Sequence, residues 1–167
     1  TGLMRFTFPA TERAHLILNL NRRGGAIEVV DDRTVRGAAA ANDDHDARDG
    51  RYFVAVFSKP FKRFGTFRKA AGGGQGYGIG GSDVLPDART IEGGFAGAYA
   101  DFPTRAGEQV LVKIAHGASY ADAEARLRAE SPGWDFDGMR GAARASWSAL
   151  LDRVQVSGGS EKQRRLF

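Results

Sequence analysis

Apolar and polar positions alternate along the first two thirds of the chain. Residues 3–8 place Met4, Phe6 and Phe8 on one side. Residues 14–20 place Leu16, Leu18 and Leu20 on one face and His15, Ile17 and Asn19 on the other. A strand sends successive side chains to opposite faces, so these segments predict half-buried strands. Arg22 to Gly25 form a turn signal, 26–30 resumes a strand, and Asp31-Asp32 marks a hairpin tip before 34–37. Residues 51–58 are apolar on both faces, which predicts a central strand ended by Pro60. Further strands are expected over 62–70, 93–102 and 110–115, with Gly107-Glu108 as the turn before the last. The small, polar stretch 38–50 and the glycine-rich stretch 72–81 read as loops.

After Ala115 the period changes. Ser119 is placed to cap a helix, with Asp122 three residues on. Ser131-Pro132-Gly133 breaks that helix, and Asp135 is placed to cap a second. Phe136, Met139, Ala143, Trp147, Leu150, Leu151 and Val154 then follow at helical spacing. Strands first and helices afterwards differ from the alternation of a parallel sheet. The expected fold is mainly β: an antiparallel β-sandwich, supersandwich-like, followed by two C-terminal connector helices. The expected division is a partial sandwich over 1–117, a helical connector over 118–156 and a linker over 157–167.

Composition narrows the function classes. A chain of 167 residues with 42% hydrophobic content is long enough for one domain with a core. The absence of cysteine excludes disulfides, thiolate metal sites and cysteine nucleophiles. A net charge of +4 comes from 24 basic against 20 acidic residues, and points to nucleic acid only where the charge clusters. No apolar run is long enough for a membrane span. Thr1-Gly2 leads straight into a strand and the chain stops on Leu166-Phe167, so both ends are expected to be cuts through a longer protein.

The second half carries a recurring phrase. GEQVLVKIA at 107–115 runs through Ser119-Tyr120-Ala121 to AESPGWDFD at 129–137, then to WSALLDRVQV at 147–156. This resembles the end of the N-terminal domain of glycoside hydrolase family 92, the bacterial calcium-dependent exo-α-mannosidases. In that family a strand leads to N-L-x-x-E-x-P-x-W-D-F, then to a helix with a tryptophan and L-x-x-I-x-V. Leu127 stands in the leucine position and Arg126 replaces the asparagine. The first strand, TGLMRFTFP at 1–9, is similar to the family's T-x-R-x-G-x-H-R-F-T-F-P, with Met4 where histidine is common. The strand ending in Ser58-Lys59-Pro60-Phe61 also fits. The match is weakest across 37–50 and 69–86.

The resemblance implies a secreted or periplasmic enzyme in two parts. The sandwich packs on a larger C-terminal helical barrel that supplies the catalytic acids and the calcium ligands, and an α-1,2-mannosidase acting on N-glycan or mannan chains is expected. Hydrolysis is by inversion, with one carboxylic acid protonating the leaving oxygen and one carboxylate activating water. The barrel is expected downstream of this chain, so no residue here is assigned as catalytic, cofactor-binding or metal-ligating. The α-mannoside glycans are the expected partners of the whole enzyme, with no nucleic acid and no membrane span. The alternatives are a free-standing carbohydrate-binding module and, behind it, a single-stranded nucleic-acid-binding domain.

Several clusters have a bland and a chemical reading. Asp43, Asp44, His45, Asp46 and Asp49 are oxygen-rich, but their spacing lacks the glycine and distal glutamate of a calcium loop, so a solvated turn is expected. Gly76, Gly78 and Gly81 spell a G-x-G-x-x-G without a helix opening at Ser82, so a surface loop is expected over a phosphate cradle. Phe61, Phe64 and Phe67 beside Lys59, Lys62, Arg63, Arg68 and Lys69 suit single-strand stacking, but also an edge strand guarded by charge. His15, His45 and His116 are far apart. Trp147 is expected in a core and Trp134 as a staple at the second helix's start.

Overall fold

A computed structural model describes residues 1–20, 24–40, 51–69, 82–155 and 157–166. Arg22 and Arg23, the Asp43 to Asp49 group and the Gly76 to Gly81 motif lie outside these residues. The chain divides into two compact units, Thr1–Trp134 and Asp135–Phe167.

The first unit is an antiparallel sandwich. Its strands are β1 (Gly2–Phe8), β2 (Thr11–Asn19), β3 (Gly25–Val29), β4 (Thr34–Ala39), β5 (Tyr52–Phe57), β6 (Arg63–Lys69), β7 (Ser82–Pro86), β8 (Thr90–Glu92), β9 (Gly97–Thr104) and β10 (Glu108–Gly117). Six of them form one sheet in the order β1-β10-β5-β4-β3-β8, and four form the other as β2-β9-β6-β7. The chain changes sheet at the corner between β1 and β2. Between the sheets lie Ile27, Val29, Val35, Phe53, Ala55, Phe57, Phe61, Ala98, Ala100, Phe102, Val110 and Val112. Phe57, Phe61 and Phe102 form an aromatic triangle with centroids 5.7 Å, 5.7 Å and 6.2 Å apart. Such tilted and edge-on pairs add to what their buried area supplies.

The apolar-on-both-faces pattern of β5 has a simple cause. Phe53, Ala55 and Phe57 face the sandwich core, while Val54 and Val56 face outward beneath helix α1 (Tyr120–Glu130). Ala123 and Leu127 of α1 close over Val54 and Ala115. Ser119 caps α1, its Oγ accepting from the Asp122 N–H at 3.1 Å. The Asp122 carboxylate accepts in turn from the Ala118 N–H at 3.0 Å. Below the helix's end Lys113 is buried, its Nζ donating to the Ser131 carbonyl at 2.7 Å and lying 4.2 Å from the Trp134 ring centroid. Burial pushes the Lys113 pKa down. Trp134 thus covers a cation as well as standing just before the second helix.

The second unit holds α2 (Phe136–Leu151) and α3 (Glu161–Leu166). Asp135 caps α2, its Oδ1 accepting from the Gly138 N–H at 2.9 Å. Trp147 does not sit in a core: it is 66% exposed, and no residue of α2 is buried. Along the helical stripe Phe136 and Met139 are half-buried, while Trp147, Leu150 and Leu151 are exposed. The short helix α3 falls inside the stretch expected to be a linker. Among the described residues no helix is long and apolar enough to cross a membrane.

Candidate functional site

A depression lined by charged and aromatic side chains lies on the outer face of the four-stranded sheet. Register places its residues in rows. His15 of β2 is opposite Asp101 of β9, which is opposite Arg63 of β6. In the next row Ile17 faces Tyr99, then Gly65, then Pro86 of β7. The third row runs Asn19, Gly97, Phe67, Val84. Each of these strands turns its alternate residues inward: Leu16 and Leu18, Phe64 and Thr66, Ala98 and Ala100. Most of the outward set, with Arg13, Asp87 and the inward-turned Phe64, lines a hollow of about 630 Å³.

The charges in this hollow are close to balanced. Arg63 Nε stands 3.7 Å from Asp101 Oδ2, an ion-pair distance too long for a hydrogen bond. The other end of Arg63 donates to the Glu12 carbonyl at 3.1 Å. Asp87 follows β7 with φ +60°, a left-handed conformation that aspartate tolerates, and its N–H donates to the Phe64 carbonyl at 3.0 Å. Tyr99 sits among these groups. Burial raises its phenol pKa most, the Asp101 and Asp87 carboxylates add to the rise, and Arg13 and Arg63 oppose it.

A second depression, of about 360 Å³, opens between the sheets on the side where β1 and β2 lie at the two edges. Met4, Phe6, Leu16, Leu18, Phe53 and Ile114 give it an apolar lining.

The cluster of phenylalanines and cations is taken apart by the fold. Phe61 is in the core and Phe64 packs against it, although Phe64 also lines the hollow with Phe67. Lys59 is tied to Glu108 Oε1 at 2.5 Å, and Arg68 pairs with Asp83 at 3.6 Å. The three rings therefore share no face for stacking bases. His15 is exposed on the outer face of β2, whereas His116 is on β10 beside the Phe53 ring at 6.2 Å. Among the described residues no three His, Asp or Glu side chains are placed to share a cation.

Tyr99, Asp101, Arg13 and Asp87 were not singled out from the sequence. The available signal was a pair of glycines, Gly65 and Gly97, inside strands. A glycine there marks a close approach by another group.

The sequence model of the glycosyl hydrolase family 92 N-terminal domain matches residues 1–116, and that of the family 92 catalytic domain matches residues 122–167. The chain belongs to glycosyl hydrolase family 92. The catalytic-domain match begins inside α1 and takes in α2 and α3, although α1 packs on the sandwich. Solved structures agree in fold. An inverting family 92 mannosidase from Bacteroides thetaiotaomicron has a TM-score of 0.77 at 24% identity, over 95% of this chain and 20% of its own. A family 92 α-mannosidase from the same organism has a TM-score of 0.69 at 20% identity, over 94% of this chain and 21% of its own. The chain thus spans about a fifth of the length of the structures it matches. No curated protein matches it.

Proposed function

We propose that this chain is the sandwich portion, with the first helices, of an exported enzyme that removes mannose from α-mannosides by inversion, with α-1,2-linked N-glycan or mannan chains as substrates. Membership of family 92 is the observation that carries this reading. The relatives' names, an inverting mannosidase and an α-mannosidase, support the substrate class. Calcium would be held by the rest of the enzyme, whose helical barrel would cover the stripe of Trp147, Leu150 and Leu151 on α2. The exposure of that stripe is what a covering domain would relieve.

By itself the chain is proposed to be inactive. Inversion needs a carboxylic acid held protonated and a carboxylate about 6.5–9.5 Å away with room for water. A general acid needs its pKa raised. Glu108 and Asp122 are shifted the other way: the Lys59 hydrogen bond and the Arg105 N–H hold Glu108 below the usual carboxylate range, and the Ala118 N–H and Arg126 do so for Asp122.

The test is expression of the whole enzyme and of this chain, each assayed on an aryl α-mannoside and on α-1,2-mannobiose, with and without chelator. The whole enzyme is expected to release mannose of inverted anomeric configuration, seen by proton NMR, and to stop when calcium is removed. Hydrolysis by this chain alone, or a whole enzyme inactive on every α-mannoside, would overturn the reading.

A further inference from the structure

Two aromatic rings on the outer face of the four-stranded sheet lie over glycines. A Cβ built on Gly65 would come 2.6 Å from both Cε1 and the hydroxyl of Tyr99. One built on Gly97 would run into Cζ of Phe67 and come 2.7 Å from its Cε1. Tyr99 therefore leans from β9 across β6, and Phe67 leans from β6 across β9. The rings lie along the sheet instead of standing up from it. Tyr99 brings its Cε1 and hydroxyl, and Phe67 its Cζ end, over a bare stretch of backbone, and Ile17 at 60% exposure and Val84 at 54% border them.

Around this apolar floor stand Arg13 and His15 from β2, Arg63 from β6, Asp101 from β9 and Asp87 after β7. Two guanidiniums face two carboxylates, so the hollow has little net charge to attract an anion or a cation. It has instead donors and acceptors of both kinds. The 3.7 Å between Arg63 and Asp101 leaves each with hydrogen-bonding capacity, more of it open to solvent at Arg63, 53% exposed, than at Asp101, 11% exposed. A flat apolar floor with a neutral, mixed polar rim complements a ligand with an apolar face and a rim of hydroxyls. A pyranose ring has that form: its axial C–H groups carry slight positive charge toward the negative face of an aromatic ring. The volume of about 630 Å³ lies within the range of small-ligand sites and holds more than one such unit.

We propose that this face is a saccharide-binding site, with Phe67 and Tyr99 as the platform and Arg63, Asp101 and His15 receiving the hydroxyls of a neutral oligosaccharide. The choice of α-mannosides as first probes rests on the function proposed above; the site itself rests on the geometry.

The 167-residue chain, labelled with nitrogen-15, would be titrated with α-1,2-mannobiose, α-linked mannotriose, cellotriose and sodium phosphate. Saturable shifts are expected at β2, β6 and β9 with at least one neutral oligosaccharide, and none with phosphate. Phe67→Ala and Asp101→Asn should each weaken binding about tenfold or more. Arg13→Gln, an exposed change that leaves the sheet intact, should weaken it less, and Arg128→Gln on α1 should leave it unchanged. No saturable shift with any neutral oligosaccharide overturns the proposal. So does binding that Phe67→Ala, Asp101→Asn and Arg13→Gln all leave intact, or a response to phosphate alone. Binding here with no mannosidase activity in the whole enzyme would remove the proposed function and keep the site; activity without binding would do the reverse.

Discussion

Thr66 offers a prediction whose sign is set by the structure. It lies in β6 between Ala98 of β9 and Leu85 of β7, faces the sandwich core, and is 0% exposed. Its Oγ1 has no hydrogen-bond partner. A buried hydroxyl without a partner costs about 1–3 kcal/mol relative to water. Thr66→Val keeps the branched shape that suits a strand and replaces that hydroxyl with a methyl, which adds about 0.8 kcal/mol of apolar burial. The expected net gain is about 2 kcal/mol, which for a chain of this size is about 4–8 °C in Tm. Urea denaturation followed by the β-sheet circular dichroism band should show a higher midpoint at unchanged slope. Thr66→Ser keeps the hydroxyl, loses the methyl, and should lower the midpoint. A Thr66→Val midpoint equal to or below that of the original chain would refute the reasoning, because it would mean that the hydroxyl is satisfied.

Gly97→Ala should destabilise the sandwich by about 1–3 kcal/mol, because the new Cβ would come 2.7 Å from the backbone carbonyl of Leu18 as well as into the Phe67 ring; urea midpoints check this, and an unchanged midpoint would show that the ring lies elsewhere. On the acid side, Glu108 and Asp122 have folded pKa values below their ordinary 4.5 and 3.8. The unfolded chain therefore binds more protons in that window, so their contribution is present above those values and is lost as pH falls through the lower folded ones. The double variant Glu108→Gln, Asp122→Asn should show a flatter decline in urea midpoint there, and an identical decline would contradict the assignment.

The elements whose local chemistry is complete were legible before the structure. Ser119 and Asp135 sit where a cap must sit, and both accept the expected N–H. The double-sided apolar run of β5 could only belong between other strands. β7 was missed because Val84 and Leu85 are exposed and Pro86 ends the run, so its strand character comes from pairing with β6. β8 has three residues, too few for a period. The α2 stripe was readable, but the exposure of Trp147 on it was not, because a pattern says which face is apolar and not what lies against it. The outer-face hollow was hidden for a related reason. Alternation assigned His15 to one side of β2, yet only the order β2-β9-β6-β7 brings it beside Asp101 and Arg63.

The pairing of β1 with β10 has a consequence in time. Phe6 lies opposite Val110, and Leu3 opposite Lys113, about a hundred residues later in the chain. At about 5–20 residues per second of synthesis, β1 waits on the order of 5–20 seconds for its partner to be made. Through that interval Phe6 and Phe8 have no finished sheet to enter. Contacts this distant in sequence also slow folding once the chain is complete, since the loop must close before the pairing stabilises it. β10 is thus the closing strand of the six-stranded sheet, and a pause in synthesis before it prolongs the exposure of everything that came earlier.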